Sequence, residues 1–255
     1  MSRKALLKTP FFLDARVSVT ARPGQKVRSS KRRRVAALGA AGLGACAVLA
    51  ACAPVQAGSA AIVGNQRITV SSLDTQVSNW KVAAKPYGNS LPVTTANAPA
   101  AVLSWLIRFE VMDQVAASNG ISVTQAQSQA ALSSLSAAAT QAGASSTSML
   151  LIANGISPQM FPQVGQWEAQ QTAYGLKASG GKEPTSTAEQ NAFTAAVTKA
   201  QCTAAESLNI QVSPQFGRLD YTTAMFNVVP AENTLSRPPG TPTPASTAGL
   251  TPAAC

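Results

Sequence analysis

Apolar positions fall into helical spacing over most of this chain and into strand-like alternation only near its two ends. Residues 60–63 (Ala-Ala-Ile-Val) and 67–69 (Arg-Ile-Thr), separated by Gly64-Asn65, predict two short strands joined by a turn. Thr69 is suited to capping a helix. Beyond it Leu73, Val77, Trp80 and Ala84 recur at intervals of three and four, predicting a helix that runs up to Pro86. Residues 86–98, with Pro86, Gly88 and Pro92, read as a loop. Pro99 suits a first helical turn. Over residues 100–118, Leu103, Leu106, Ile107, Val111 and Val115 form an apolar face that Trp105, Phe109 and Met112 widen. A helix this apolar must be largely buried, and Asn119-Gly120 is its stop.

The pattern then becomes more sparing. Thr124 with Gln127 resembles a capping box and opens an Ala/Gln/Ser helix to about Gln141, whose narrow stripe of Ala131, Leu132, Leu135 and Ala139 suits packing on one side. A short helix is expected over residues 147–153, ending at Asn154-Gly155. Another is expected from Ser157-Pro158 to about Ala178, anchored by Phe161, Val164, Trp167, Ala173 and Tyr174. After a break at residues 179–184, Ser186 or Thr187 opens a helix to about Leu208. Residues 209–214 and 222–229 read as strands, and the Pro/Thr/Ser/Ala-rich residues 230–255 as a disordered tail. The fold class expected is mainly α, a helical bundle with a small sheet. In that sheet the strand around residues 61–63 meets the C-terminal strand around residues 210–212.

Charge changes the picture of the first fifth. The 255 residues carry 20 Lys+Arg and 10 Asp+Glu, for a formal +10. Eleven of those bases and one acid lie in residues 1–51, while residues 52–255 hold nine of each and are neutral. The basicity that would suggest a nucleic-acid partner therefore belongs to a leader, and no nucleic-acid partner is expected. The cluster Lys31-Arg32-Arg33-Arg34 precedes an uncharged run from Val35 to Ala51, the order of a secretory signal. Leu49-Ala50-Ala51-Cys52 resembles the bacterial lipobox. That resemblance implies diacylglyceryl transfer to the Cys52 thiol, cleavage before Cys52, and anchoring by lipid to the outer face of the cell membrane. Leu43-Gly44-Ala45-Cys46 is a second, weaker match. The alternative, a permanent anchor, asks the 17 residues from Val35 to Ala51 to do what roughly 20 apolar residues usually do. The n-region is long, so translation starting later, for instance at Val27, is a further alternative.

The chain has no His, which excludes Ser-His-Asp and Cys-His nucleophiles, imidazole acid–base chemistry and His metal sites. No Gly-rich phosphate loop or metal-ligand cluster stands out, so no cofactor, no metal and no catalytic residues are expected, and the protein is read as not an enzyme.

Residues 61–74 (Ala-Ile-Val-Gly-Asn-Gln-Arg-Ile-Thr-Val-Ser-Ser-Leu-Asp) resemble the opening of the SurA N-terminal-domain family, the helical module of SurA- and PrsA-type extracytoplasmic chaperones. The order is Gly64-Asn65 where Asn-Gly is usual, and Ser72 stands where an acid is common. The helix over residues 101–120 followed by Ile121-Ser122-Val123-Thr124 and the turn Asn154-Gly155-Ile156-Ser157 are similar to later parts of the family, and residues 210–220 (Ile-Gln-Val-Ser-Pro-Gln-Phe-Gly-Arg-Leu-Asp) are similar to a segment in actinobacterial lipoproteins of this group. The resemblance covers roughly residues 60–225. It implies an extracytoplasmic chaperone-like protein that binds unfolded or exported polypeptides by apolar contact. Such relatives carry a parvulin prolyl-isomerase domain after the helical part. Here only residues 180–184 separate two helices, so isomerase activity is not expected. The alternative is a structural or interaction lipoprotein with one dedicated cell-envelope partner.

The organisation expected is thus a signal peptide over residues 1–51, a lipidated tether over 52–59, a helical domain over 60–229 and the tail over 230–255. If Cys52 is acylated, the mature chain retains Cys202 and Cys255, and an exported protein can oxidise that pair. A Cys202–Cys255 bond would add roughly 4 kcal/mol by the chain-entropy relation; two free thiols are the alternative. Trp80, Trp105, Phe109, Phe161, Trp167 and Tyr174 lie on apolar stripes and are expected mostly in the core. Phe161 and Trp167, near the Pro158–Pro162 bend, are the residues that would line a peptide groove. Glu110 and Asp113, with Arg108 nearby, read as a solvated or ion-paired face rather than a catalytic dyad.

Overall fold

The computed structural model describes residues 58–221 and 226–230. The expected signal segment, Cys46, Cys52 and the tail with Cys255 lie outside the described residues. The fold is mainly α: six α-helices and a few short antiparallel strands.

Strand β1 (Ser59–Val63) turns through Gly64-Asn65 into β2 (Gln66–Thr69), and the two pair antiparallel. The other edge of β1 pairs with β3 (Gln211–Val212), Ala61 opposite Val212 and Ile62 opposite Gln211, as the alternation at the two ends predicts. β3 is shorter than the strand expected over residues 209–214. The next strand, β4 (Arg218–Asp220), was not foreseen. It pairs antiparallel with β5 (Asn227–Val229), Leu219 opposite Val228, in a separate two-stranded sheet.

Helix α1 (Val70–Ala84) begins where Thr69 accepts a hydrogen bond from the Ser72 amide at 3.0 Å, and it buries the expected Leu73, Val77, Trp80 and Ala84. The segment read as a loop instead contains a 3₁₀ stretch over Lys85–Ser90. Pro86 sits in its first turn, where a missing N–H costs nothing, and Gly88 breaks the helical geometry within it. Helix α2 (Ala98–Ser118) is the axis of the molecule, packed by α1, α5, α6, β1 and β5. Helix α3 (Gln125–Gln141) starts with a complete Thr124/Gln127 capping box and buries Leu135, Ala138 and Ala139. Helix α4 (Thr147–Ala153) is capped by Ser146. A single 3₁₀ turn, Pro158–Met160, leads into α5 (Phe161–Ala178). Helix α6 (Thr187–Ser207) opens with a second capping box, Ser186 with Glu189. The Thr185 and Ser186 groups that donate to the Glu189 carboxylate hold its pKa below the usual range, led by the Thr185 amide.

Two tryptophans knit the core together by long-range bonds that no local pattern announces. Trp80 Nε1 donates to the Ile152 carbonyl and Trp105 Nε1 to the Asn154 carbonyl, both at 2.8 Å. The indoles of α1 and α2 thereby tie down the C-terminal turn of α4, adding a donor to the Ile152 carbonyl, which also accepts the Gly155 N–H at 3.0 Å. Two glycines set the spacing of α5. A Cβ at Gly165 would stand 2.3 Å from the Ser128 carbonyl oxygen of α3, and one at Gly175 would stand 2.1 Å from the Phe193 ring of α6. No real Cβ tolerates either distance, so α3 and α6 approach the α5 backbone as closely as they do because those positions carry no side chain.

Candidate functional site

Of the residues that sequence reasoning assigned to a groove, Trp167 is in the core, 7% exposed, edge-on to Trp105 at 5.4 Å between ring centroids. Its Nε1 is buried without a hydrogen-bond partner. Phe161, the first residue of α5, is half-buried and packed on the same core. Trp167 is thus a core side chain, and Phe161 packs at the edge of that core. Val82 is the one exposed large hydrophobic side chain among the described residues. A shallow hollow on α1, lined by Ser71, Asp74, Thr75 and Ser78, is polar and formed by one helix, a poor seat for an apolar segment.

Cys202 is buried on α6 and disulfide-bonded. Its expected partner, Cys255, lies outside the described residues. Among the described residues no group of three or more His, Cys, Asp or Glu side chains is placed to hold a metal ion, and no helix is long and apolar enough to cross a membrane.

The acids of α2 are half-buried, and Arg108 does not sit with them. Asp113 accepts from Gln166 Nε2 at 3.0 Å and from Gln170 Nε2 at 2.6 Å, so that side of α2 lies against α5. Burial, and then the neighbouring Asp113 charge, raise the pKa of Glu110. Arg108 points to another side of the helix, which the residue spacing had not separated: two residues along a helix turn a side chain by more than half a circle. It is 7% exposed, and burial lowers its pKa to about 10, so it stays charged at neutral pH.

Around Arg108 the molecule builds a polar junction between α2 and β5. Its guanidinium carbon lies 4.8 Å from the centroid of the Trp105 ring, within cation–π range, and its Nη2 donates to the Asn227 side-chain oxygen on β5. One turn earlier, the Ser104 hydroxyl donates to the Ala100 carbonyl at 2.8 Å and accepts the Val228 backbone N–H at 2.9 Å. Phe226 and Val228 are 0% and 5% exposed, with Asn227 between them. An extended segment of the chain is thus held by apolar side chains and by a hydroxyl and a guanidinium from one helix. Phe226 has φ +40°, a backbone conformation that a bulky side chain rarely adopts and that costs on the order of 1 kcal/mol or more.

Sequence reasoning missed this junction because its partners lie 119 and 124 residues apart. The one available signal was a charged residue inside the most apolar helix, where an uncompensated charge is costly. A second buried polar contact, Gln201 Nε2 donating to Gln171 Oε1 at 3.2 Å, joins α5 to α6 and leaves Gln201 Oε1 unpartnered. Glu168, on α5, is half-buried, and burial pushes its carboxyl up to about 8.

No protein-family model, characterised protein or solved structure matches the chain.

Proposed function

We propose that this chain is a lipid-anchored extracytoplasmic protein that binds unfolded or exported polypeptides, a SurA-like chaperone module without an isomerase domain. The observation that carries the reading is the pairing of β1 with β3. It closes a strand–turn–capped-helix opening with a strand from the other end of the chain, the arrangement that the resemblance implies. Only residues 179–186 lie between α5 and α6, too few for an inserted catalytic domain. Fold-level likeness is an analogy for function rather than a site, so the test is functional.

Mature protein added in stoichiometric amounts is expected to suppress the aggregation of several unrelated unfolded proteins, read by light scattering. Suppression of none would overturn the chaperone reading. Lipid-precursor labelling is expected to mark the wild-type chain and to be lost in Cys52→Ser; equal labelling of both would move the anchor to another residue.

The second reading, a lipoprotein serving one dedicated envelope partner, is favoured by the near absence of exposed large hydrophobics among the described residues. Crosslinking in the native envelope separates the two: one abundant native partner supports the dedicated role, and many nascent or unfolded chains support the chaperone.

A further inference from the structure

A protein that binds extended polypeptide needs an apolar surface to offer, and the described surface offers almost none. The apolar flank of α2 beside Ser104 and Arg108 is covered by the chain's own β5. Three features set that cover apart from the helical core. Among the described residues β5 has a strand partner on one edge only, the three-residue β4, and a two-stranded pair of this length is marginal without support. On the α2 side its backbone is met by a side chain, Ser104, rather than by another strand. Its anchor residue Phe226 is held at φ +40°, so the segment occupies its seat at the expense of local strain.

We propose that this flank of α2 is a recognition surface for extended polypeptide of the pattern apolar-Asn-apolar, and that β5 is an intramolecular ligand occupying it until a client displaces it. The Ser104 hydroxyl reads a backbone N–H, which every client except one with proline there supplies. Arg108, stacked on Trp105, reads an oxygen acceptor on the preceding side chain, the place of Asn227. The buried positions of Phe226 and Val228 receive the flanking apolar side chains. A client entering without the positive φ binds the same contacts unstrained, which is what makes exchange feasible. The proposal rests on the polypeptide-binding reading above and names its site.

The test uses the full mature chain and a fluorescein-labelled peptide carrying Phe-Asn-Val-Val between Gly-Ser flanks, read by anisotropy. Val228→Pro removes the N–H that Ser104 accepts and leaves α2 intact. Because apparent affinity scales with the fraction of molecules whose site is free, Val228→Pro is expected to bind the peptide at least about 10-fold more tightly than wild type. Adding Ser104→Ala to that variant is expected to remove most of the gain. A Val228→Pro protein with native helical circular dichroism and wild-type affinity overturns the proposal, as does a gain that survives Ser104→Ala. If Val228→Pro fails to fold, Asn227→Ala, which removes only the acceptor used by Arg108, replaces it with the same expected direction and the same overturning result. Aggregation suppression without peptide capture would overturn this site and leave the chaperone reading standing. Peptide capture without aggregation suppression would support the site and assign it to a dedicated partner.

Discussion

Helices α2 and α3 are both rich in alanine and both part of the same bundle, yet they are held in opposite ways. α2 buries thirteen of its 21 residues and is covered on almost every side. Its contribution is volume: Trp105, Phe109, Met112, Leu103 and Ile107 fill the space between α1, α5, α6 and β5. α3 buries three of 17 and presents mainly Ala, Ser and Gln, yet it lies along α5 closely enough for the Ser128 carbonyl to occupy the place of a missing Cβ at Gly165. Its attachment is proximity of backbones, which only small residues permit. A helix can therefore be essential to the packing while looking almost featureless in the sequence.

The contrast predicts different vulnerabilities. Trp105→Ala in α2 removes a buried indole, its bond to the Asn154 carbonyl and the ring beneath Arg108. Urea unfolding should register a loss of about 3–5 kcal/mol, and a loss under 1 would mean that α2 is not the axis of the core. Gly165→Ala adds a single methyl, yet it must push α3 away from α5. Packing strain of about 3 kcal/mol set against a helix-propensity gain of about 1 leaves a net loss of about 2 kcal/mol. A neutral or stabilised variant would show that the helices separate freely and that proximity is not what holds α3.

One turn beyond Gly165, Glu168 sharpens the comparison through pH. Its carboxyl is raised from 4.5 to about 8 in the folded protein. Between those values the native state keeps a proton that the unfolded chain has released, so stability should fall as pH rises from about 4.5 to about 8. Glu168→Gln should flatten that slope. It should match the parent at pH 4 and exceed it by roughly 1.5 kcal/mol at pH 8, a figure discounted for the partial exposure of the side chain. Parallel stability–pH curves for the two proteins would place the titration elsewhere. The smallest effect belongs to the cap. Thr124→Ala should cost about 1 kcal/mol, seen as earlier amide exchange in the first turn of α3; an unchanged first turn would mean that docking on α5, not the cap, sets where the helix begins.

Features whose partners lie within a few residues were legible in the sequence. Thr69 and the pair Thr124 with Gln127 cap their helices as expected, Ser186 rather than Thr187 caps the last helix, and the stripe Leu73, Val77, Trp80 and Ala84 lies buried as periodicity requires. The strand pairing across the chain was legible too, because alternation occurs at so few places that the candidates are limited. What local pattern could not carry is the identity of distant partners. Arg108 read as part of an acidic face because Glu110 and Asp113 are its neighbours in sequence, whereas its partner Asn227 is in β5. β4 was invisible because three residues are too few for alternation to register. The groove residues Phe161 and Trp167 were selected for their proximity to a bend, but aromatic size drew Trp167 inward against Trp105.

The central position of β1 has a consequence for timing. A chain delivered from its N-terminal side presents β1 and β2 before the rest of the sheet, so that hairpin can form while most of the domain has yet to arrive. The remaining edge of β1 must wait for Gln211 and Val212, roughly 150 residues later. Until then the growing chain carries an unpaired edge, the feature most exposed to wrong pairing with neighbouring chains. Completion of the sheet is therefore a late event that reports the arrival of nearly the whole domain, and a chain stopped short of β3 would be left with its first strand open.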